Sequence, residues 1–237
     1  MIEKLLNCPH LLIAGATGSG KSTLEALLLA ELVGKNSPDN ELWLIDPKKV
    51  ELFPWSYSGT CKAYADEPQR IVSLLRDLNN VMDTRYTAMR FNRLTMTTDH
   101  HIYCFIDEYS DIVYSGIRRQ AEPLLCRLLA LGRAARIHIV ICTQRPTADI
   151  ITGMIKANIS DRIALHTVNA QDSRNIIGVS GAERLPRYGQ AIISLADGTL
   201  DRVAVQPLTS TQINNIFNQL GGLKKMNTEY TYYINET

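Results

Sequence analysis

The run Gly15-Ala16-Thr17-Gly18-Ser19-Gly20-Lys21-Ser22 constrains this chain more than any other feature, because it fits G-x-x-x-x-G-K-[ST] in the one context that gives that pattern meaning. It follows an apolar stretch, Leu11–Ala14, and opens a helical one, Ser22–Val33. Strand, glycine turn and helix in that order let successive main-chain N–H groups and a helix N-terminus converge on phosphate oxygen. Lys21 then carries a full charge to the β- and γ-phosphates, and Ser22 a hydroxyl for magnesium. The expected nucleotide-binding run is therefore Gly15, Ala16, Thr17, Gly18, Ser19, Gly20, Lys21, Ser22 and Thr23, with ATP and Mg2+ as cofactors. A glycine turn without function is the alternative reading, and the flanking strand and helix weigh against it.

The rest of the chain supplies a matching framework. Short apolar runs at Leu11–Ala14, Leu42–Ile45, Ile102–Ile106, Ile137–Cys142, Arg162–His166, Ala191–Leu195 and Arg202–Val205 alternate with longer helical segments. That alternation predicts an α/β fold, a mainly parallel sheet with helices on both faces. The periodicity of Ile71, Leu74, Leu75, Leu78, Val81, Met82 and Met89 predicts a long amphipathic helix over about Glu67–Phe91. A further helix is expected over Glu122–Ala135. Asp197-Gly198 between the last two strands predicts a C-terminal antiparallel hairpin. With 237 residues, one large core is expected, in a nucleotide-binding domain over 1–207 followed by a C-terminal helix and tail over 208–237. No apolar run approaches the roughly 20 residues of a spanning helix, and the five cysteines show no C-x-x-C pair. These point to a cytoplasmic protein with reduced thiols and no intrinsic membrane segment. A formal charge of +1 leaves the polymer partner open.

A second motif supports hydrolysis. Ile102–Ile106 runs directly into Asp107-Glu108, and successive residues at a strand end diverge, so Asp107 is expected in the magnesium shell and Glu108 on the attacking water. Acids after a strand can also cap a helix. Ligands of open α/β sheets bind at the carboxyl ends of the strands. Four of the predicted strands end there in polar groups: Gly15, Asp46, Asp107-Glu108 and Thr143-Gln144. Gln144 is expected to sense the γ-phosphate or the attacking water, or else to be a polar turn residue.

Beyond these motifs, the segments Pro9–Gly15, Asp46-Pro47-Lys48, Gly132–Ala135, Thr143-Gln144-Arg145-Pro146 and Ile151–Ile159 resemble the FtsK/SpoIIIE family, as do Asp172-Ser173-Arg174 and Gly181-Ala182-Glu183. The resemblance covers about residues 9–207. It implies a RecA-like P-loop ATPase that assembles as a homo-oligomer, a hexameric ring, and hydrolyses ATP at subunit interfaces to move double-stranded DNA in segregation, conjugative transfer or packaging. It also implies a cation inserted toward a neighbour's γ-phosphate, for which Arg133 is the first candidate and Lys156 and Arg162 the others. Lys21, Glu108, Gln144 and Arg133 make up the expected catalytic set.

Eight residues precede Pro9 and thirty follow Pro207, so a bare motor is expected, without the membrane anchor, extra N-terminal domain or C-terminal winged-helix module of family members. Contacts to the DNA backbone are expected from Arg90, Arg93 and Lys156, which would grip phosphate without reading sequence. Two other functions use related modules: a protein-secretion or single-strand coupling ATPase, and a nucleotide-dependent assembly module that hardly turns over.

Overall fold

The computed structural model describes residues 1–34 and 40–206, together with residues 209, 211, 212 and 215. In chain order the elements are α1 (Ile2–Leu6), β1 (His10–Ala14), α2 (Lys21–Gly34), β2 (Asn40–Ile45), β3 (Cys61–Ala65), α3 (Pro68–Asn92), β4 (His101–Ile106), α4 (Tyr109–Tyr114), α5 (Arg118–Leu131), β5 (Ile137–Thr143), α6 (Gly153–Asn158), β6 (Asp161–Ala164), α7 (Ala170–Ile177), β7 (Gln190–Ser194) and β8 (Leu200–Ala204). They form one sheet in the order β3-β2-β4-β5-β1-β6-β7-β8. The first six of those strands run parallel, and β7 is antiparallel to both its neighbours, β6 and β8. The expected hairpin is present: Gly198 takes φ 87°, and Thr199 N–H donates to Asp197 Oδ1 at 2.9 Å.

Strands buried on both faces read as continuous apolar runs, and alternate residues then serve opposite layers. Ile102, Cys104 and Ile106 of β4 enter the core built with α3 and α5, alongside Leu75, Leu78, Met82, Leu125 and Leu128. Tyr103 and Phe105 enter the core on the other face, with Leu24, Leu28 and Leu32 of α2 and Leu5 and Leu6 of α1. Helices therefore cover both faces, as expected. Among the described residues no helix is long and apolar enough to cross a membrane, and all five cysteines are free thiols.

Three differences from the sequence reading have physical causes. Strand β3 was not expected: among the described residues it pairs only with β2, at the sheet edge, so its residues are mostly half-buried and show no apolar run. Helix α5 begins at Arg118 and ends at Leu131, where Glu122–Ala135 was expected. Pro123 suggests a helix start, but here it sits inside the helix, and Arg118 Nε donates to Glu122 Oε2 at 2.7 Å across that turn. The chain leaves the helix at Gly132, where the last turn of α5 and the starts of β5 and β1 leave no room for a side chain. A Cβ on Gly132 would meet Leu128 O at 2.5 Å, Ile137 O at 2.9 Å and His10 Cε1 at 3.1 Å. Gly132→Ala is expected to cost about 1–3 kcal/mol in urea unfolding, the range of an overpacked core, and wild-type stability would show that the turn yields. Finally, β6 ends at Ala164, two residues short of the expected end, although Leu165 N–H still donates to Ala14 O at 2.9 Å. The C-terminal segment 208–237 lies outside the described residues, apart from the isolated positions 209, 211, 212 and 215.

Candidate nucleotide site

The sheet order places β1 between β5 and β6, so the segment after Ala14 emerges between two other strand ends. Gly15 N–H donates to Thr143 O at 3.3 Å and Ala16 N–H to His166 O at 2.8 Å, which moors the glycine loop to the ends of β5 and β6. A side chain at Gly15 is excluded: its Cβ would lie 2.7 Å from both Leu165 Cβ and Ser19 Oγ. Gly18 (φ 76°) and Gly20 (φ 92°) adopt left-handed backbone that other residues rarely take. Helix α2 then begins at Lys21.

Lys21 is 5% exposed, and its ammonium donates to Asp107 Oδ1 at 3.1 Å and Asp107 O at 3.3 Å. Burial alone would favour loss of its proton, but Cys142, Glu25 and Asp107 together outweigh it and raise the ammonium above its ordinary range. Asp107 is fully buried, and among the described residues its Oδ2 has no hydrogen-bond partner. Ser19 Oγ is likewise buried without one. Ser22 Oγ donates to Glu51 Oε1 at 3.0 Å. Orphaned polar atoms, the lack of room for a Cβ at Gly15 and the left-handed backbone at Gly18 and Gly20 are features of residues shaped to hold a phosphate chain and a cation.

Glu108 is the most heavily bonded acid of the site. Its Oε1 accepts from Thr143 Oγ1 at 2.7 Å and Ser110 Oγ at 2.8 Å, both its oxygens accept from Gln144 N–H at 3.1 Å, and Lys48 Nζ lies 3.3 Å from Oε2. Burial pulls its carboxyl upward, but the bonds from Thr143 and Ser110 and the charges of Lys21 and Lys48 hold it below the ordinary value. Glu108 also caps α4 through Ser110 N–H at 3.4 Å. The capping and functional readings of this acid therefore coexist. Gln144 accepts from Thr17 Oγ1 at 2.6 Å through Oε1, joining the glycine loop to the end of β5.

Asp46 stands at the carboxyl edge as expected, but the contacts its loop makes in the site were not anticipated. Asp46, at the end of β2, accepts from Leu52 N–H at 3.1 Å and Phe53 N–H at 3.0 Å and so folds the following loop back on itself. That loop delivers Lys48 to Glu108 and Glu51 to Ser22. Glu25 on α2 is buried beside the cradle, where burial and then the charge of Asp107 push its carboxyl well above the ordinary value. Sequence offered no signal for Glu25 or Glu51, since an acid on a helix or in a loop is ordinary surface chemistry.

The remaining candidates lie elsewhere. Arg133 is exposed in the turn before β5, and Arg90 and Arg93 are exposed at the end of α3 and just past it, ahead of β4. All three belong to the amino edge of the sheet, separated from Gln144 by the seven residues of β5, about 20 Å of strand. Arg162 spends its guanidinium internally, donating to Lys156 O at 2.6 Å, Ile159 O at 2.8 Å and Ile176 O at 3.3 Å. Lys156 is half-buried on α6.

With this geometry in view, the pattern of the FtsK/SpoIIIE family matches residues 1–103. The DNA translocase FtsK of Chlorobaculum tepidum is 36% identical over 217 residues, 83% of this chain and 27% of that protein. This chain belongs to the FtsK/SpoIIIE family. It spans about a quarter of the length of the FtsK relatives it matches, 27% of the Chlorobaculum protein. The fold also occurs in the conjugation coupling protein TcpA of pCW3, solved with ATPγS (TM-score 0.76, 22% identity, 91% of this chain and 66% of that one). It occurs again in the cytoplasmic domain of the type VII secretion ATPase EccC of Thermomonospora curvata (TM-score 0.76, 23% identity, 90% of this chain and 28% of that one). The fold of this FtsK/SpoIIIE chain is thus that of P-loop ATPase domains, as the phosphate loop and strand order imply.

Proposed function

We propose that this chain is an ATP-driven motor that moves double-stranded DNA, hydrolysing ATP at the carboxyl edge of β1, β4 and β5. The observation that carries the reading is the ionised, firmly held Glu108 carboxylate beside the Lys21–Asp107 pair of the glycine cradle. Gly15–Thr23 hold the phosphates, with Lys21 facing the β- and γ-oxygens. Ser22 and Asp107 would hold Mg2+, which supplies neutralising charge when bound. Glu108 accepts a hydrogen bond from the attacking water and orients it in line. A loosely bonded phosphoryl transition state asks for positioning more than for a strong base, which suits a carboxyl held below its ordinary value. Gln144, tied to both Thr17 and Glu108, links the cradle to the water-orienting acid.

Arg133 cannot reach the cradle of its own chain from the opposite edge, so it serves a neighbour's site in a hexameric ring. It is preferred to Arg162, whose guanidinium is committed to three carbonyls. Arg90 and Arg93, with Lys156, contact DNA phosphates.

Steady-state ATP hydrolysis, measured across protein concentration with linear duplex, tests the reading. Duplex should stimulate the rate several-fold, cooperatively with protein concentration and less as salt rises. No response to duplex at any concentration, with stimulation by single strands or a polypeptide, would replace DNA translocation with the coupling or secretion reading.

A further inference from the structure

The cradle is crowded with acid. Glu51, Asp107 and Glu108 reach it, with Asp46 and Glu25 close behind, and its two lysines are already matched, Lys21 with Asp107 and Lys48 with Glu108. A triphosphate entering this site adds further negative charge, which calls for a cation not already paired with a carboxylate. Arg187 fits that need. It is exposed in the loop between α7 and β7, and among the described residues its side chain has no hydrogen-bond or ion-pair partner. A Cβ built on Gly18 would lie 3.6 Å from Arg187 Nε and 3.7 Å from Nη2, so the guanidinium lies over the phosphate loop with about a methyl group's space between them.

The placement is built into the fold. His166, which ends the chain's passage out of β6, accepts Ala16 N–H on its carbonyl at 2.8 Å, and its Nδ1 lies 2.9 Å from Leu185 O. One residue thus clamps the glycine loop on one side and, two positions before Arg187, the arginine's own loop on the other. A side chain at Gly18 would strain a φ of +76°, and its Cβ would only touch the guanidinium.

We propose that Arg187 is a nucleotide-binding residue of the same chain, which contacts the phosphates of the bound nucleotide over Gly18. The proposal rests on the nucleotide site described above. Arginine suits the task because its planar fork stays charged and meets phosphate through two N–H groups.

The test measures binding by isothermal titration calorimetry, using adenylyl imidodiphosphate with magnesium and, separately, inorganic tripolyphosphate with magnesium, on the wild-type chain, Arg187→Ala and Arg187→Lys. Thermal melts of each variant confirm the fold, which an exposed, unpaired side chain should not disturb. Arg187→Ala should weaken both ligands by about tenfold, in the range of a charge-assisted hydrogen bond. Arg187→Lys should recover part of the loss. Unchanged affinity for both ligands would overturn the role of Arg187 while leaving the nucleotide site intact. Weakening of the adenine nucleotide alone would also overturn it, by assigning the guanidinium to the base. A wild-type chain that binds neither ligand would overturn both this proposal and the nucleotide reading beneath it.

Discussion

Glu108→Gln is expected to leave ATP bound at close to wild-type affinity while lowering kcat by about 10²–10⁴-fold, the usual contribution of a positioned acid–base group. Glutamine keeps the shape and can still accept from Thr143 and Ser110, so α4 and the end of β5 should hold their places. What it removes is the negative charge that orients water, together with the ion pair to Lys48 at 3.3 Å. Binding and turnover therefore separate in this variant, and rapid quench measurements of a single turnover, paired with calorimetric binding, read both. An unchanged single-turnover rate would remove Glu108 from the chemistry and leave it as the cap of α4.

Lys21→Met is expected to have two large effects at once. Nucleotide binding should be lost, because the charge at the β- and γ-phosphates is gone. The fold should also weaken by about 3–5 kcal/mol, the cost of leaving one member of a buried pair alone. Asp107 is fully buried, with one oxygen unpartnered among the described residues, and Lys21 donates to its other oxygen and to its carbonyl. Adding Asp107→Asn to Lys21→Met should restore much of the stability without restoring binding, since a neutral amide no longer leaves a buried charge. Urea unfolding of the single and double variants checks this. Equal stability of wild type and Lys21→Met would mean that the pair is solvated well enough for either member to stand alone.

How much was legible depended on how local each feature is. The glycine cradle is contiguous, so its glycines, Lys21 and Ser22 announce themselves within eight residues. Asp107-Glu108 is nearly as local, because an apolar strand points directly at it. Helix α3 repeats its apolar residues over 25 positions and is found from periodicity alone. The six-residue helices α4 and α6 are too short to show a period. Edge strand β3 escaped because half-buried residues need not be apolar, and α5 was misplaced because a proline near a helix start and a proline inside one look alike in sequence.

The partners of the site illustrate the other limit. Glu51 meets Ser22, Lys48 meets Glu108, Thr17 meets Gln144, and Arg187 meets Gly18. Each pair joins residues from different elements, and the pairings exist because the sheet sets β2 beside β4 and inserts β1 between β5 and β6. The same strand order separates Arg133, Arg90 and Arg93 from the cradle by placing them at the opposite edge, a distinction invisible in a list of basic residues.

The sequence by itself determined the chemistry this chain can offer and the class of sheet that presents it. Hydrophobic periodicity and the special backbone demands of glycine act over a few neighbouring residues. Only the tertiary structure decided which charges are neutralised, which are left over, and which edge each one occupies, because burial and ion pairing depend on residues that are distant in the chain and adjacent in space.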